Sequence, residues 1–186
     1  ASKHLNAGAK KVLLSAPAKS DDIKTIVKGI NEHQITKEDH IISNASCTTN
    51  CFAPVVKVLN DNFGVKKGFM STTHAYTADQ RIVDAPHRDL RRARSAAINI
   101  VPTTSGAAKA VSKVLPEVGN CLHSMAVRVP VPSGSMIFFI AELKREVTKE
   151  EINQLFSQVA ENHLKGVIEY SELPLVSTDI LGNKHS

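Results

Sequence analysis

Apolar and polar positions along the chain follow two periods in turn. Ala1 to Gly8 has the pattern of a helix end closed by glycine, and Lys11 to Ser15 that of a short buried strand turning at Ala16-Pro17. Ile23 to Ile30 fits either a strand or a short helix, Thr36 to Asp39 a solvated loop, and His40 to Ser43 a strand. From Thr48 onward Phe52, Val55, Val56 and Leu59 recur at helical spacing, predicting a helix in which Pro54 is tolerable near the first turns and kinking further along. Val65 to Thr73 predicts a second strand ending at His74, and Tyr76 to Ile98 a long polar loop. Ile98 to Pro102 is apolar, Ser105-Gly106 opens a helix to about Leu115, and Cys121 to Val131 and Ser135 to Arg145 are predicted strands. Thr148 to Glu151 is a capping box ahead of an amphipathic helix over Ile152 to Leu164, and Tyr170 to Ile180 supplies a last extended stretch before a turn at Gly182. Several strands in succession with helices on one face predict an α+β domain, its sheet mixed or largely antiparallel, rather than a Rossmann sheet.

Within that pattern Cys47 stands at a strand-to-helix junction. First-turn N–H groups lack intrahelical partners and the helix dipole is positive there, so a thiolate is stabilised. A lone cysteine at such a place is equally well a small buried apolar residue. His74, at the end of the next strand, supplies a candidate base for the thiol. Cys51 lies one helical turn beyond Cys47 on the same face; packing accounts for it, with a resolving-thiol role as the alternative.

The chain has 186 residues, a net charge of +5 and three cysteines without pairing spacings, Cys47, Cys51 and Cys121. That length buries a real core, and the free thiols fit a reducing compartment, taken here as the cytoplasm. No apolar run is long enough to cross a membrane, and the first residues are too polar for a signal peptide. The modest positive charge suits anionic small molecules; the arginine cluster from Arg88 to Arg94 lacks the interleaved aromatics expected of a nucleic-acid surface. Nothing matches the local signatures of a papain-like thiol hydrolase, the other class that pairs Cys with His.

Ser-Asn-Ala-Ser-Cys-Thr-Thr-Asn-Cys (43–51), Thr-Thr-His-Ala-Tyr-Thr (72–77), Arg-Arg-Ala-Arg-Ser-Ala-Ala (91–97) and Thr-Ser-Gly-Ala-Ala-Lys-Ala-Val (104–111) together resemble phosphorylating glyceraldehyde-3-phosphate dehydrogenases, in order and spacing along the whole chain. The resemblance implies that Cys47 is the nucleophile and His74 its base, with glyceraldehyde 3-phosphate, inorganic phosphate and NAD as reactants and NADP left open. It implies Thr77 and Arg128 around the substrate phosphate with Asp79 nearby, and Ser46, Thr48, Arg92, Ser105 and Gly106 around inorganic phosphate. Ser105 stands where the family usually has Thr, which keeps the hydroxyl. Ser15 is the implied cofactor contact; no metal is implied. Ala78 replaces a frequent Asn, and Ala85-Pro86 mixes features of dual-cofactor and NAD-specific relatives. Residues 1–46 correspond to the end of a Rossmann-type NAD-binding domain and 47–186 to the catalytic domain. The glycine-rich dinucleotide fingerprint is expected ahead of Ala1 and a final helix after Ser186, so the sequence is expected to be truncated at both ends and inactive as a dehydrogenase alone. The loop 76–98 is implied to lie at a homotetramer interface. Erythrose-4-phosphate dehydrogenase is the sibling alternative, and a folding or binding module the alternative of a different class.

Overall fold

The computed structural model describes residues 1–186. A short helix α1 (Ser2–Asn6) leads into strands β1 (Val12–Leu14), β2 (Lys24–Thr25) and β3 (Ile41–Ser43). These three form a small parallel sheet in the order β1-β3-β2. The larger sheet comprises β4 (Val65–Ala75), β5 (Val101–Thr104), β6 (Leu122–Val129) and β7 (Ser135–Leu143). Its order is β5-β6-β4-β7, with β4 and β6 parallel and the outer pairs antiparallel, so the sheet is mixed. The α+β architecture expected from the sequence is therefore present, accompanied by a small parallel α/β piece.

Helices α2 (Cys47–Phe63) and α3 (Ala107–Val114) cover one face of that sheet. Their apolar stripes bury Phe52, Val56 and Val111 against Met70 of β4 and Leu122 of β6. The other face is bare: Phe69, Met136, Phe138 and Ile140, which alternate outward along β4 and β7, are exposed. Pro102 is tolerated because β5 is an edge strand, where a missing N–H costs no ladder bond. Pro54 sits inside α2, leaving the Asn50 carbonyl without its usual i+4 donor.

Helix α4 (Lys149–Glu161) begins at the expected capping box. Thr148 Oγ1 accepts from Glu151 N at 3.1 Å and Glu151 Oε2 accepts from Thr148 N at 2.8 Å, an arrangement that contributes about 1 kcal/mol. The helix starts at this box and ends three residues before the Leu164 expected from periodicity.

Two expectations are corrected. Ile23 to Ile30 is neither one strand nor a helix: only Lys24–Thr25 pairs, and the chain then turns where Asn31 Oδ1 accepts from Val27 N at 2.8 Å. Tyr170 to Ile180 joins no sheet. It runs as a coil ending in turns closed by Asp179 N to Val176 O (3.0 Å) and Leu181 N to Thr178 O (3.3 Å). β7 already forms the edge next to β4, and Pro174 removes a donor from the segment.

Candidate active site

The site begins where β3 stops. Asn44 N donates to Leu14 O at 2.8 Å, prolonging the parallel pairing by one bond. The next residue, Ala45, is buried and turns left-handed (φ 56°), the one non-glycine residue in the chain with positive φ. Ser46 then caps α2, its Oγ accepting from Thr49 N at 3.1 Å. Cys47 is thus the first helical residue, with its thiol at the positive end of a 17-residue helix.

His74 enters from the end of β4, almost fully buried at 8% exposure. Its Nε2 lies 3.4 Å from Cys47 Sγ. That hydrogen bond is the main reason the Cys47 thiol is held down at about 7; burial opposes it, while the His74 charge and Thr48 assist. Cys51, more deeply buried, has its thiol pushed up by burial and by Cys47, which makes it a poor attacking thiol and favours the packing role.

The parallel register of β4 and β6 sets His74 opposite Arg128. Arg128 NH1 donates to Ala75 O at 2.9 Å and lies 2.6 Å from His74 Nδ1. His74 Nδ1 also lies 2.7 Å from Ala75 O, which can only accept, so the carbonyl favours a proton on Nδ1 while the guanidinium, which can only donate, opposes it; Nε2 faces the sulfur in either case. The arrangement suits a thiolate.

Cys47 and His74 line two cavities at once. One, of about 330 Å³, gathers Ser46, Thr48, Thr77, Arg92, Ser105, Gly106 and Arg128 around the pair. All the expected phosphate ligands converge there except Asp79. The Asp79 carboxylate instead pairs with Arg92, and His87 Nε2 stands 3.9 Å from its other oxygen. Burial and the nearby Arg92 charge both press the Arg128 pKa down, so the two guanidinium groups repel each other across the cavity. Arg128 Nε is buried and makes no hydrogen bond. Two close cations, one with an idle donor, among hydroxyls and the end of α3 make a place for a multiply charged oxyanion.

The other cavity, of about 940 Å³, is bounded by Ser15, Asn44, Tyr76 and the coil from Glu169 to Ser186. Ser15 and Asn44 directly follow the carboxyl ends of the parallel strands β1 and β3, the crevice where α/β sheets hold cofactors.

Four residues near the site were not anticipated in these positions. Thr72, on the same face of β4 as His74, lines both cavities, and its buried Oγ1 makes no hydrogen bond; the two-residue spacing to His74 was the available signal. Thr103 Oγ1 accepts from Arg92 Nε at 3.0 Å, and Asp89 Oδ1 accepts from Arg91 N at 2.9 Å and Arg92 N at 3.3 Å. Together they hold Arg92 at the cavity wall. Asn50 reaches back beneath the turn at Ala45. No local pattern marks Thr103 or Asp89, and Asn50 falls within the 43–51 motif without a role being implied for it.

Residues 46–186 match the family model described as glyceraldehyde 3-phosphate dehydrogenase, C-terminal domain. Among curated proteins the chain is similar to glyceraldehyde-3-phosphate dehydrogenase 1 of Bacillus subtilis, 59% identical over 187 residues covering 100% of this chain and 56% of that protein. It is 58% identical to the glyceraldehyde-3-phosphate dehydrogenase of Geobacillus stearothermophilus, over 98% of this chain and 55% of the relative. With that of Borreliella burgdorferi the identity is 56%, over 98% and 55% respectively. The chain spans about half the length of the curated relatives it matches. With a family model covering most of the chain, and a cysteine, a histidine and an anion cavity converging as described, the chain belongs to the glyceraldehyde-3-phosphate dehydrogenase family.

Proposed function

We propose that this chain carries the catalytic centre of a glycolytic, phosphorylating glyceraldehyde-3-phosphate dehydrogenase, with residues 47–186 as the catalytic domain and 1–46 as the end of an NAD-binding domain. The observation that carries this reading is the Cys47 Sγ to His74 Nε2 contact of 3.4 Å beside a cavity lined by Arg92 and Arg128.

Cys47 thiolate attacks the aldehyde carbon of glyceraldehyde 3-phosphate, forming the carbon–sulfur bond of a hemithioacetal. His74 Nε2–H and the Cys47 amide face the oxygen as negative charge develops; His74 passes it the proton and takes it back as the carbonyl re-forms. NAD, held against Ser15 in the larger cavity, would supply the hydride acceptor for this oxidation. An inorganic phosphate oxygen then attacks the Cys47 thioester, the thiolate leaves, and 1,3-bisphosphoglycerate is the product. Thr77 and Arg128 hold the substrate phosphate; Ser46, Thr48, Arg92, Ser105 and Gly106 hold the attacking one. Asp79 acts through its pair with Arg92, competing with the incoming anion.

The test uses this chain as it stands. Glyceraldehyde 3-phosphate is expected to protect Cys47 from iodoacetamide, with erythrose 4-phosphate protecting more weakly. Arg128→Leu should weaken the protection by at least tenfold, a charge-assisted phosphate contact being involved. Equal protection of wild type and the Arg128→Leu variant, or none by either aldehyde, would count against the assignment.

The bare face of the larger sheet suits a second copy, as in a homotetramer. Phe69, Met136, Phe138 and Ile140 are exposed there, and Leu90, Ile98 and Ile100 of the segment leading into β5 are exposed as well; an apolar sheet face of this kind is usually an interface. Sedimentation should report an assembly that Phe138→Glu dissociates. Sedimentation as a monomer at every concentration would refute it. No helix is long and apolar enough to cross a membrane, and the three free cysteines suit the reducing cytoplasm proposed as the place of action.

A further inference from the structure

Ala45 poses a physical problem. A left-handed backbone at a residue with a Cβ costs about 1–2 kcal/mol, and such conformations persist where the surroundings over-determine them. Here Ala45 is buried with φ 56°, and no side chain of its own can compensate. What surrounds the turn is a set of directed hydrogen bonds. Asn50 Nδ2 donates to Asn44 O at 2.7 Å and to Ser46 O at 2.9 Å, the carbonyls on either side of Ala45. Asn50 N also donates to Ser46 O at 3.0 Å. From the other side Ser43 Oγ accepts from Ala45 N at 3.2 Å while donating to Ala16 O at 2.8 Å.

A carboxamide suits the task because its nitrogen carries two divergent N–H groups; serine, leucine or aspartate cannot donate to two carbonyls in that way. Two carbonyl acceptors also determine which end of the Asn50 amide faces the turn. The peptide held by the second bond joins Ser46 to Cys47. Its plane sets the direction of the Cys47 N–H and, with the helix start, the direction of the Cys47 side chain toward His74.

We propose that Asn50 is a positioning residue for this site: by clamping the two carbonyls that flank Ala45, it fixes the Cys47 thiol and amide in register with His74. The inference rests on the thiolate–imidazole reading of Cys47 and His74, and it concerns a residue with no part in the covalent steps. Asn50 acts only through Cys47.

The test measures the pH profile of Cys47 alkylation by iodoacetamide, with the modified cysteine identified by mass spectrometry. Wild type, Asn50→Ala and Asn50→Leu are compared, each alone and combined with His74→Asn, with near-ultraviolet circular dichroism verifying the fold. Asn50→Ala and Asn50→Leu are expected to raise the apparent Cys47 pKa by about one unit, slowing labelling roughly tenfold at pH 6. In the His74→Asn background the same substitutions should add almost nothing, because the partner that Asn50 aligns is already gone. A purely structural role would shift both backgrounds alike.

If the single variants fail to fold, Ala45→Gly with Asn50→Ala carries the same measurement, since glycine adopts the left-handed turn without strain. That pair should fold and still show the raised pKa. An unchanged Cys47 profile in a folded Asn50 variant, or an equal shift with and without His74, overturns the proposal. Should His74→Asn alone leave the Cys47 profile unchanged, the thiolate–imidazole reading fails instead, so the two failures are distinguishable.

Discussion

Replacing His74 by asparagine will return the Cys47 thiol from about 7 toward its ordinary value of 9.0. The hydrogen bond from His74 is the largest contribution lowering that pKa, and the His74 charge adds to it; burial pushes the other way. A thiol with a pKa near 7 is half ionised at neutral pH, whereas one near 9 is about 1% ionised. Alkylation at pH 7 should therefore slow roughly fifty-fold, and the midpoint of the rate–pH profile should move up by nearly two units. The direction follows from the sign of the shift: the folded site favours the anion, so the relative gain in reactivity holds at every pH below the ordinary value and vanishes above it. At pH 10 wild type and variant should react at similar rates. Cys51, with its thiol pushed up by burial, and Cys121, whose Sγ lies 2.8 Å from Val118 O, serve as internal references. Labelling of Cys47 at neutral pH that is indifferent to His74 would mean that the helix terminus alone activates the thiol.

Phe52→Ala should be the most damaging single core substitution near the site. Phe52 has no solvent exposure, and its ring meets that of Phe139 edge-on, with centroids 4.8 Å apart at 80°. This contact ties α2, which carries Cys47, to β7 at the sheet edge. Truncation removes the transfer energy of the ring and leaves a cavity that the flanking β-sheet cannot close, at a cost of about 3–5 kcal/mol. That is a large part of the stability of an ordinary domain, and for a chain of this size the melting temperature should fall by about 10 °C. Urea denaturation measures the loss directly, and a change below about 1 kcal/mol would show that α2 repacks over the gap. Because the same helix orients Cys47, the variant should also lose the low thiol pKa as the temperature approaches its midpoint.

Short-range patterns predicted much of this molecule correctly. The helix after Cys47 follows from the 3.6-residue recurrence of Phe52, Val56 and Leu59, and the start of α4 from the Thr148 and Glu151 pair. The long strands follow from apolar and β-branched runs bounded by turn residues. Cys47 at a strand-to-helix junction and His74 at a strand end were legible for the same reason: each is defined by neighbours within a few residues. Even Gly68, mid-strand with no turn nearby, could be located on β4, though only the fold explains it: a Cβ there would come within 2.6 Å of the Phe139 ring.

What lay beyond local pattern was partnership. The extended look of Tyr170 to Ile180 could not reveal that the segment pairs with no strand. Nothing near Arg128 in sequence indicates that parallel pairing of β4 with β6 sets it opposite His74, or that Asp79 takes the guanidinium of Arg92. Asn50 carries the same limitation, since its amide matters only because the chain turns left-handed at Ala45. The sequence by itself determined the periods, the caps and the residue types available for thiol and phosphate chemistry, because those depend on backbone geometry over one or two turns. The tertiary structure alone decided which of these groups meet, because strand order and register are set by burial and pairing between segments dozens of residues apart.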